Sequence, residues 1–171
     1  MPATQNQIQI AFADGVRKQT SGGVTAGEAL KSAGRLSDDG IAVKVNGQVM
    51  DLSAVLTEDA LLEPVTFEAP EGKEVYRHSS THIMAQAVKE VFPSAQLAIG
   101  PAIEEGFYYD FAFERPFTPD DLSKIEARAH EIMKADRPFK RMEMPRQEAI
   151  EFFRSRGEQY KVEILQSIQD S

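Results

Sequence analysis

Two histidines separated by three residues, His78 and His82, are the side chains in this sequence whose type and spacing are best suited to chemistry. The apolar periodicity predicts a helix over residues 77–92, in which side chains four apart lie on adjacent turns of one face. Neutral imidazoles placed in this way can hold a metal ion, orient a water molecule or move protons near pH 7. The pair alone leaves these three uses open.

The predicted helix keeps the histidines apart from its core-facing side. Its apolar stripe consists of Met84, Ala87, Val88 and Val91. The histidine pair falls roughly opposite this stripe, together with Gln86 and Lys89. The third histidine, His130, has no partner at a comparable spacing, and we predict that it lies on the surface. A paired position away from the core makes a functional site as plausible as an ordinary structural role, which a lone histidine would not.

The composition narrows the class of protein. With 171 residues, 42% of them hydrophobic, the chain can build one medium domain or two small ones. Its net charge of −8 argues against general affinity for nucleic acid, although residues 137–171 carry a slight basic excess. The absence of cysteine excludes disulfides, a thiol nucleophile and thiolate zinc sites. No signal peptide or membrane-length apolar run is visible, so we expect a cytoplasmic protein.

Local signals in residues 1–67 predict two hairpins, a helix between them and a closing strand. The signals are an alternating strand, an Asp-Gly turn, a capping box, an Asn-Gly turn and a closing strand, at residues 7–12, 14–15, 25–28, 46–47 and 64–67. This order predicts a small α+β domain and resembles the β-grasp fold of the TGS domain. No residue in this part is a candidate for catalysis, so we interpret it as a binding or positioning module.

Residues 68–75 are polar and contain Pro70 and Gly72, which predicts a linker between two domains. The remainder, residues 76–171, reads as a second α+β unit. After the histidine helix, its predicted elements are an aromatic strand, a helix beginning at Thr118, a strand, a further helix and a last strand, at residues 107–113, 118–133, 140–144, 146–156 and 160–165.

Residues 77–113 and 156–165 resemble the start of the editing domain of bacterial-type threonyl-tRNA synthetases. The matching segments are Arg77-His78-Ser79-Ser80-Thr81-His82, Ala98-Ile99-Gly100-Pro101, Glu105-Gly106-Phe107-Tyr108-Tyr109-Asp110 and Arg156-Gly157-Glu158-Gln159-Tyr160-Lys161-Val162. A TGS-like domain followed by a His-x-x-x-His domain is also the order found in that family. The resemblance covers nearly the whole chain and implies that residues 76–171 are an incomplete, N-terminal part of an editing domain.

The resemblance implies a function for the histidine pair. The whole enzyme joins threonine to tRNA(Thr) using ATP, and a second site hydrolyses tRNA mischarged with the smaller serine. Carried onto this chain, His78 and His82 would line the editing cleft and hold the attacking water or the terminal ribose. Lys161 would bring a positive charge to the substrate or to the developing oxyanion. Tyr109 and Gly100 would bind substrate, with Tyr109 shaping the amino-acid pocket.

The resemblance also implies partners and cofactors. The partner would be tRNA(Thr), with no DNA and no membrane, and a homodimer would form only in the full-length enzyme. This region would need no cofactor, because ATP, magnesium and zinc belong to the catalytic domain that this chain lacks. The family's editing domain continues into a segment with a cysteine and another histidine, so we expect the chain alone to lack aminoacylation and to edit poorly or not at all.

Two alternatives stay open at this point. The first is a metal-dependent ester hydrolase, in which His78 and His82 would be two ligands and a third would come from His130 or a carboxylate such as Glu105. Neither residue lies at a persuasive spacing from the pair. The second alternative is a module without catalytic activity that binds tRNA or another partner.

Overall fold

Residues 6–138 and 142–168 are described by a computed structural model, in which the contacts between residues divide the chain after Tyr76. The first unit is Met1–Tyr76 and the second is Arg77–Ser171. Both combine helices with strands, so the predicted α+β class is confirmed.

The first unit contains a five-stranded mixed sheet in the order β2-β1-β5-β3-β4. Its strands are β1 Gln7–Phe12, β2 Arg17–Ser21, β3 Gly40–Val45, β4 Gln48–Met50 and β5 Ala60–Thr66. The two central strands β1 and β5 are parallel, and every other pairing is antiparallel. This is the strand order of a β-grasp sheet, as the sequence predicted, with helix α1 (Ala26–Ser32) between the two hairpins.

Local chemistry explains the turns and the helix start of this unit. Asn46 and Gly47 adopt φ angles of 51° and 83°, the two left-handed positions that a tight hairpin turn requires. Thr25 and Glu28 form the predicted capping box at the start of α1. The core is closed by side chains from both layers, all of them almost fully buried: Ile8, Ile10, Leu30, Val43 and Leu62.

Helix α2 (Pro70–Val91) carries the histidine pair and begins earlier than predicted. Residues from Pro70 onward in the predicted linker are therefore helical, and the whole of residues 68–75 falls in the first unit. The buried side of α2 includes Ala87 and Val88 of the predicted stripe. The helix thus confirms the separation between an apolar side and a histidine side.

The second unit surrounds its part of α2 with short elements. They are β6 Gln96–Leu97, β7 Ala102–Ile103, β8 Gly106–Phe107, β9 Phe111–Ala112, α3 Pro119–Lys134, α4 Arg146–Ser155 and α5 Gln159–Ser167. Its core joins Ala87 and Val88 of α2 to Ile125 of α3, with phenylalanines packed around them. Helix α3 begins at the predicted Thr118 cap, where Thr118 and Asp121 form a second capping box.

The predicted strand at residues 160–165 is wrong, because these residues lie in helix α5. Residues 160–164 alternate in polarity, which suggested a strand. In a helix, Val162 and Leu165, three residues apart, lie on one side. Val162 is buried and Leu165 is half-buried, whereas Glu163 and Ile164 between them are exposed. Lys161 is therefore presented by a helix.

The single aromatic strand predicted at residues 107–113 is also wrong. Residue 107 pairs in β8 with β7, whereas residues 111–112 pair in β9 with β6. The two halves have different partners, so the chain leaves the extended ladder between them. Of the strand predicted at 140–144, residues 140 and 141 lie outside the described residues, and residues 142–144 form no strand.

Candidate functional site

His78 and His82 contact each other on the exposed side of α2. Their Nε2 atoms are 3.0 Å apart, and the rings meet edge to face at 71° with centroids 4.7 Å apart. When both rings are neutral, one Nε2 can donate a hydrogen bond to the other, and the tautomers decide which ring is the donor. The predicted meeting of the two side chains on one face is thus observed as a direct contact.

The helical turn beneath the pair is held by buried and charged neighbours. Thr81 is almost fully buried, and its hydroxyl donates to the carbonyl oxygen of His78 at 2.7 Å. Arg77 donates through Nη1 to the carbonyl oxygens of Ile103, at 3.2 Å, and of Glu104. These bonds connect the histidine turn to the β7 hairpin, which restrains the backbone that presents the rings.

Three effects lower the pKa of His82 below its ordinary value. Partial burial is the largest, followed by the nearby His78 and then by the positive charge of Lys161. Although the residue keeps contact with solvent, each effect disfavours the imidazolium form. His82 is therefore a neutral imidazole at pH 7, able to accept a proton.

Lys161 lies close enough to His82 for its charge to act on the imidazole, although the two are 79 positions apart in sequence. It is half-buried in the first turn of α5, and its Nζ lies 5.6 Å from the centre of the Phe153 ring on α4. His78 and His82 are thus in direct contact, and the charge of Lys161 acts on His82.

Tyr109 and Gly100 also contact each other. A Cβ atom at Gly100 would lie 2.1 Å from Cδ2 of Tyr109, so glycine is what lets the tyrosine ring rest on this backbone. The ring also stacks on Phe111, with centroids 4.8 Å apart. Burial, and after it the negative charge of Glu158, raise the pKa of the Tyr109 hydroxyl. The two predicted substrate-binding residues therefore pack directly against each other.

A cleft of about 500 Å³ opens beside His82. Its walls come from α2 and from the end of α3, including Gln86, Met133 and Arg137. Met133 is about half exposed and lines this cleft. Of the three predicted catalytic residues only His82 lines it, so the cleft extends away from His78 and Lys161.

Glu158 was not predicted as a site residue, although its side chain pairs with the helix that carries the histidines. Its Oε1 is 3.3 Å from the Nζ of Lys89 on α2, and its charge acts on Tyr109. The residue belongs to the segment that carried part of the resemblance, Arg156-Gly157-Glu158-Gln159-Tyr160-Lys161-Val162. The signal was therefore present in the sequence, but nothing in the spacing distinguished this carboxylate from its neighbours.

The donors needed for a metal site do not meet in the part of the chain that the structure describes. Within it, no group of three histidine, aspartate or glutamate side chains is arranged to hold an ion. Exposed His130 lies on α3, as predicted for a surface residue. Among the same residues, no helix has the length and apolar character to cross a bilayer.

The chain is similar to known ligases over nearly its whole length. It is 50% identical over 159 residues to the threonine–tRNA ligase of Desulforamulus reducens, covering 92% of this chain and 25% of that ligase. The ligase of Hahella chejuensis is 51% identical over 160 residues, covering 93% of this chain and 25% of that protein. The ligase of Symbiobacterium thermophilum is 48% identical over 162 residues, covering 94% of this chain and 25% of that protein. No family model matches the chain.

The chain is homologous to the N-terminal portion of threonine–tRNA ligases, as the resemblance predicted. It spans about a quarter of the length of these relatives.

Proposed function

We propose that this chain is the N-terminal part of a threonine–tRNA ligase and that its second unit contributes to hydrolysis of seryl-tRNA(Thr). The observation that carries the proposal is the 3.0 Å contact between His78 and His82 beside the charge of Lys161. A water-activating base and an adjacent cation are what hydrolysis of an ester requires.

In this proposal the histidine pair activates water. A neutral imidazole accepts a proton as the water oxygen attacks the carbonyl carbon of the ester, and the lowered pKa of His82 keeps that base neutral at pH 7. The C–O bond to the terminal ribose then breaks, and the proton returns to the ribose oxygen. The products are serine and a free tRNA end. One water molecule is consumed, and the reaction needs no oxidant or reductant.

Lys161, Tyr109 and Gly100 have supporting roles in the same reaction. The ammonium group of Lys161 stabilises the negative charge that develops on the carbonyl oxygen. The Tyr109 ring, packed on Gly100 and Phe111, forms a rigid wall for the amino-acid side chain. A rigid wall suits discrimination by size, because serine differs from threonine by one methyl group.

The partner in this proposal is tRNA(Thr), and the location is the cytoplasm. ATP, magnesium and zinc would serve the joining reaction in the part of the relatives that lies outside the matched quarter. The 171-residue chain by itself would not aminoacylate and would edit weakly or not at all. The described residues favour no metal-dependent mechanism, because they bring no third ligand to the histidine pair.

The test is a chimera in which this chain replaces the matching quarter of the Desulforamulus reducens ligase. We expect it to hydrolyse seryl-tRNA(Thr) and to spare threonyl-tRNA(Thr). His82→Asn should slow hydrolysis by at least about 100-fold, the usual contribution of a general base. The matched control is His130→Asn on the exposed side of α3, which should hydrolyse at the unaltered rate.

Two results would contradict the proposal. One is a chimera that aminoacylates but leaves seryl-tRNA(Thr) intact while the parent ligase clears it. The other is an unchanged hydrolysis rate in both His78→Asn and His82→Asn.

A further inference from the structure

Glu158 stands at the start of helix α5, pairs with helix α2 and exerts its charge on Tyr109. Its Oε1 is 3.3 Å from Nζ of Lys89, which lies two turns beyond His82 on α2. The same Nζ donates to the carbonyl oxygen of Ala95 at 3.0 Å. The ion pair therefore joins the start of α5 to the helix that carries both histidines.

This ion pair is shielded from water on the side of the carboxylate. The Glu158 side chain is only 12% exposed, compared with 28% for Lys89. Its second oxygen, Oε2, is buried and has no hydrogen-bond partner among the described residues. Removing one member of such a pair leaves the other charge poorly solvated, so the two side chains are held together firmly.

The position of Glu158 determines where α5 begins. It is the N-cap residue of α5, and its carbonyl oxygen accepts from the backbone N–H of Val162 at 3.2 Å. Its backbone N–H donates to Phe153 of α4 at 3.1 Å. Lys161 is three residues further on, in the first turn of α5, so a displacement of Glu158 displaces Lys161 with it.

We propose that Glu158 is a positioning residue, whose ion pair with Lys89 holds the first turn of α5 against α2 and so keeps Lys161 beside His82. The proposal deepens the proposed hydrolytic function, because it identifies what fixes the cation relative to the base. It makes no claim that Glu158 touches the substrate.

The pKa of His82 reports this position directly, and NMR titration of the three histidines in the 171-residue chain measures it. The charged and titratable groups around His82 are His78 on α2, Lys161 on α5, and Asp136 and Arg137 at the end of α3. Lys161→Met removes the cation, and we expect the His82 pKa to rise. His130 is the internal reference, since it lies on the exposed side of α3.

Glu158→Gln then distinguishes positioning from simple electrostatics. Loss of a nearby negative charge would by itself lower the His82 pKa, whereas release of Lys161 would raise it. We expect a rise that approaches that of Lys161→Met, and no additional rise in the double variant. The control is Glu163→Gln on the same helix, where the carboxylate is exposed and the His82 pKa should stay unchanged.

A second variant keeps the test decisive if Glu158→Gln fails to fold. Glu158→Asp retains the charge but withdraws the carboxylate by about 1.5 Å, so the ion pair lengthens beyond contact. We expect a smaller rise in the His82 pKa. An unchanged or lowered His82 pKa in the folded variants would overturn the proposal.

Activity of the chimera provides an independent readout. Glu158→Gln should lower kcat/KM for seryl-tRNA(Thr) hydrolysis by about 10-fold through misplacement of Lys161. A chimera without any hydrolysis would contradict the proposed function, yet the NMR shifts would still decide whether Glu158 positions Lys161. A chimera whose hydrolysis is unaffected by Glu158→Gln would overturn the positioning role.

Discussion

In the first unit, strands of up to seven residues form one continuous sheet, and Leu30 and Leu62 meet in a closed core. In the second unit every described strand has only two residues, and helices supply most of the packing. Both units leave some large apolar side chains exposed, among them Val55 in the first and Leu122 in the second. The first unit is therefore held mainly by backbone pairing and core burial, whereas the second depends more on individual side-chain contacts.

The difference matters for function because the candidate site lies wholly in the second unit. His78 and His82 come from one helix, but Lys161 reaches them from another helix through contacts such as Lys89–Glu158. A site built in this way can be disturbed by a single remote substitution. In the first unit, by comparison, the structure offers packing and no comparable cluster of chemically active side chains among the residues that it describes.

The largest effect is expected from Leu62→Ala in the centre of the first unit. Leu62 is completely buried in the central strand β5, so truncation leaves a cavity and should cost about 3 kcal/mol of unfolding free energy. Hydrogen exchange of amides in each unit measures the loss separately. The control is the neighbouring Leu61→Ala, where the side chain is 39% exposed and the cost should be small. Equal loss of protection in both units would contradict their description as separate compact units.

Gly100→Ala should destabilise the second unit by about 2 kcal/mol, because the new Cβ overlaps the Tyr109 ring. Denaturant unfolding followed by circular dichroism measures the energy in each background, and the Tyr109 chemical shifts of the single variant report the displacement of the ring. In a Tyr109→Ala background the same substitution should cost much less, since the overlapping ring is absent. Equal costs in both backgrounds would show that Gly100 and Tyr109 are not coupled.

The two capping boxes permit a direct comparison between units. Thr25→Ala should cost about 1 kcal/mol in the first unit. Thr118→Ala should cost somewhat more, about 1.5 kcal/mol, because the Asp121 carboxylate that it leaves is buried, whereas the box at Thr25 is exposed. Thermal unfolding of both variants gives the ranking, and the reverse order would contradict the importance of side-chain contacts in the second unit.

Acid should weaken the second unit through Asp121. The Arg115 guanidinium and the hydrogen bonds from Thr118 hold the pKa of Asp121 well below its ordinary value. The stabilisation is therefore complete above about pH 4 and is lost as the pH falls towards the lowered pKa. Thermal unfolding of Asp121→Asn should depend less on pH below 4, with Asp120→Asn as the control on the exposed first turn. Identical acid profiles for Asp121→Asn and the parent would refute this assignment.

The accuracy of prediction from the sequence also differs between the two units. The hairpins and the helix cap of the first unit depend on local chemistry, such as the left-handed Asn46-Gly47 turn, and were predicted correctly. The histidine contact also follows from local geometry, because two residues four apart on a helix must be neighbours.

The wrong secondary-structure predictions lie in segments whose conformation is set by contacts between residues that are distant in sequence. A short alternation such as that of residues 160–165 fits a strand or a helix equally well, and packing of α5 on α4 and β6 selected the helix. The interruption between β8 and β9 at residues 108–110 depends on which strands pair with each of them. The role of Glu158 depends on a partner 69 positions away, Lys89, which no local pattern could indicate.

The most direct test of the account is the pKa of His82 in the 171-residue chain, measured by NMR titration alongside His130. We expect a His82 pKa below the ordinary value of about 6.5 and a rise of that pKa in Lys161→Met. Such a result would show that α5 holds its lysine beside the histidine pair in solution. A His82 pKa at or above the ordinary value, unchanged by Lys161→Met, would contradict the assembly of these residues into one site.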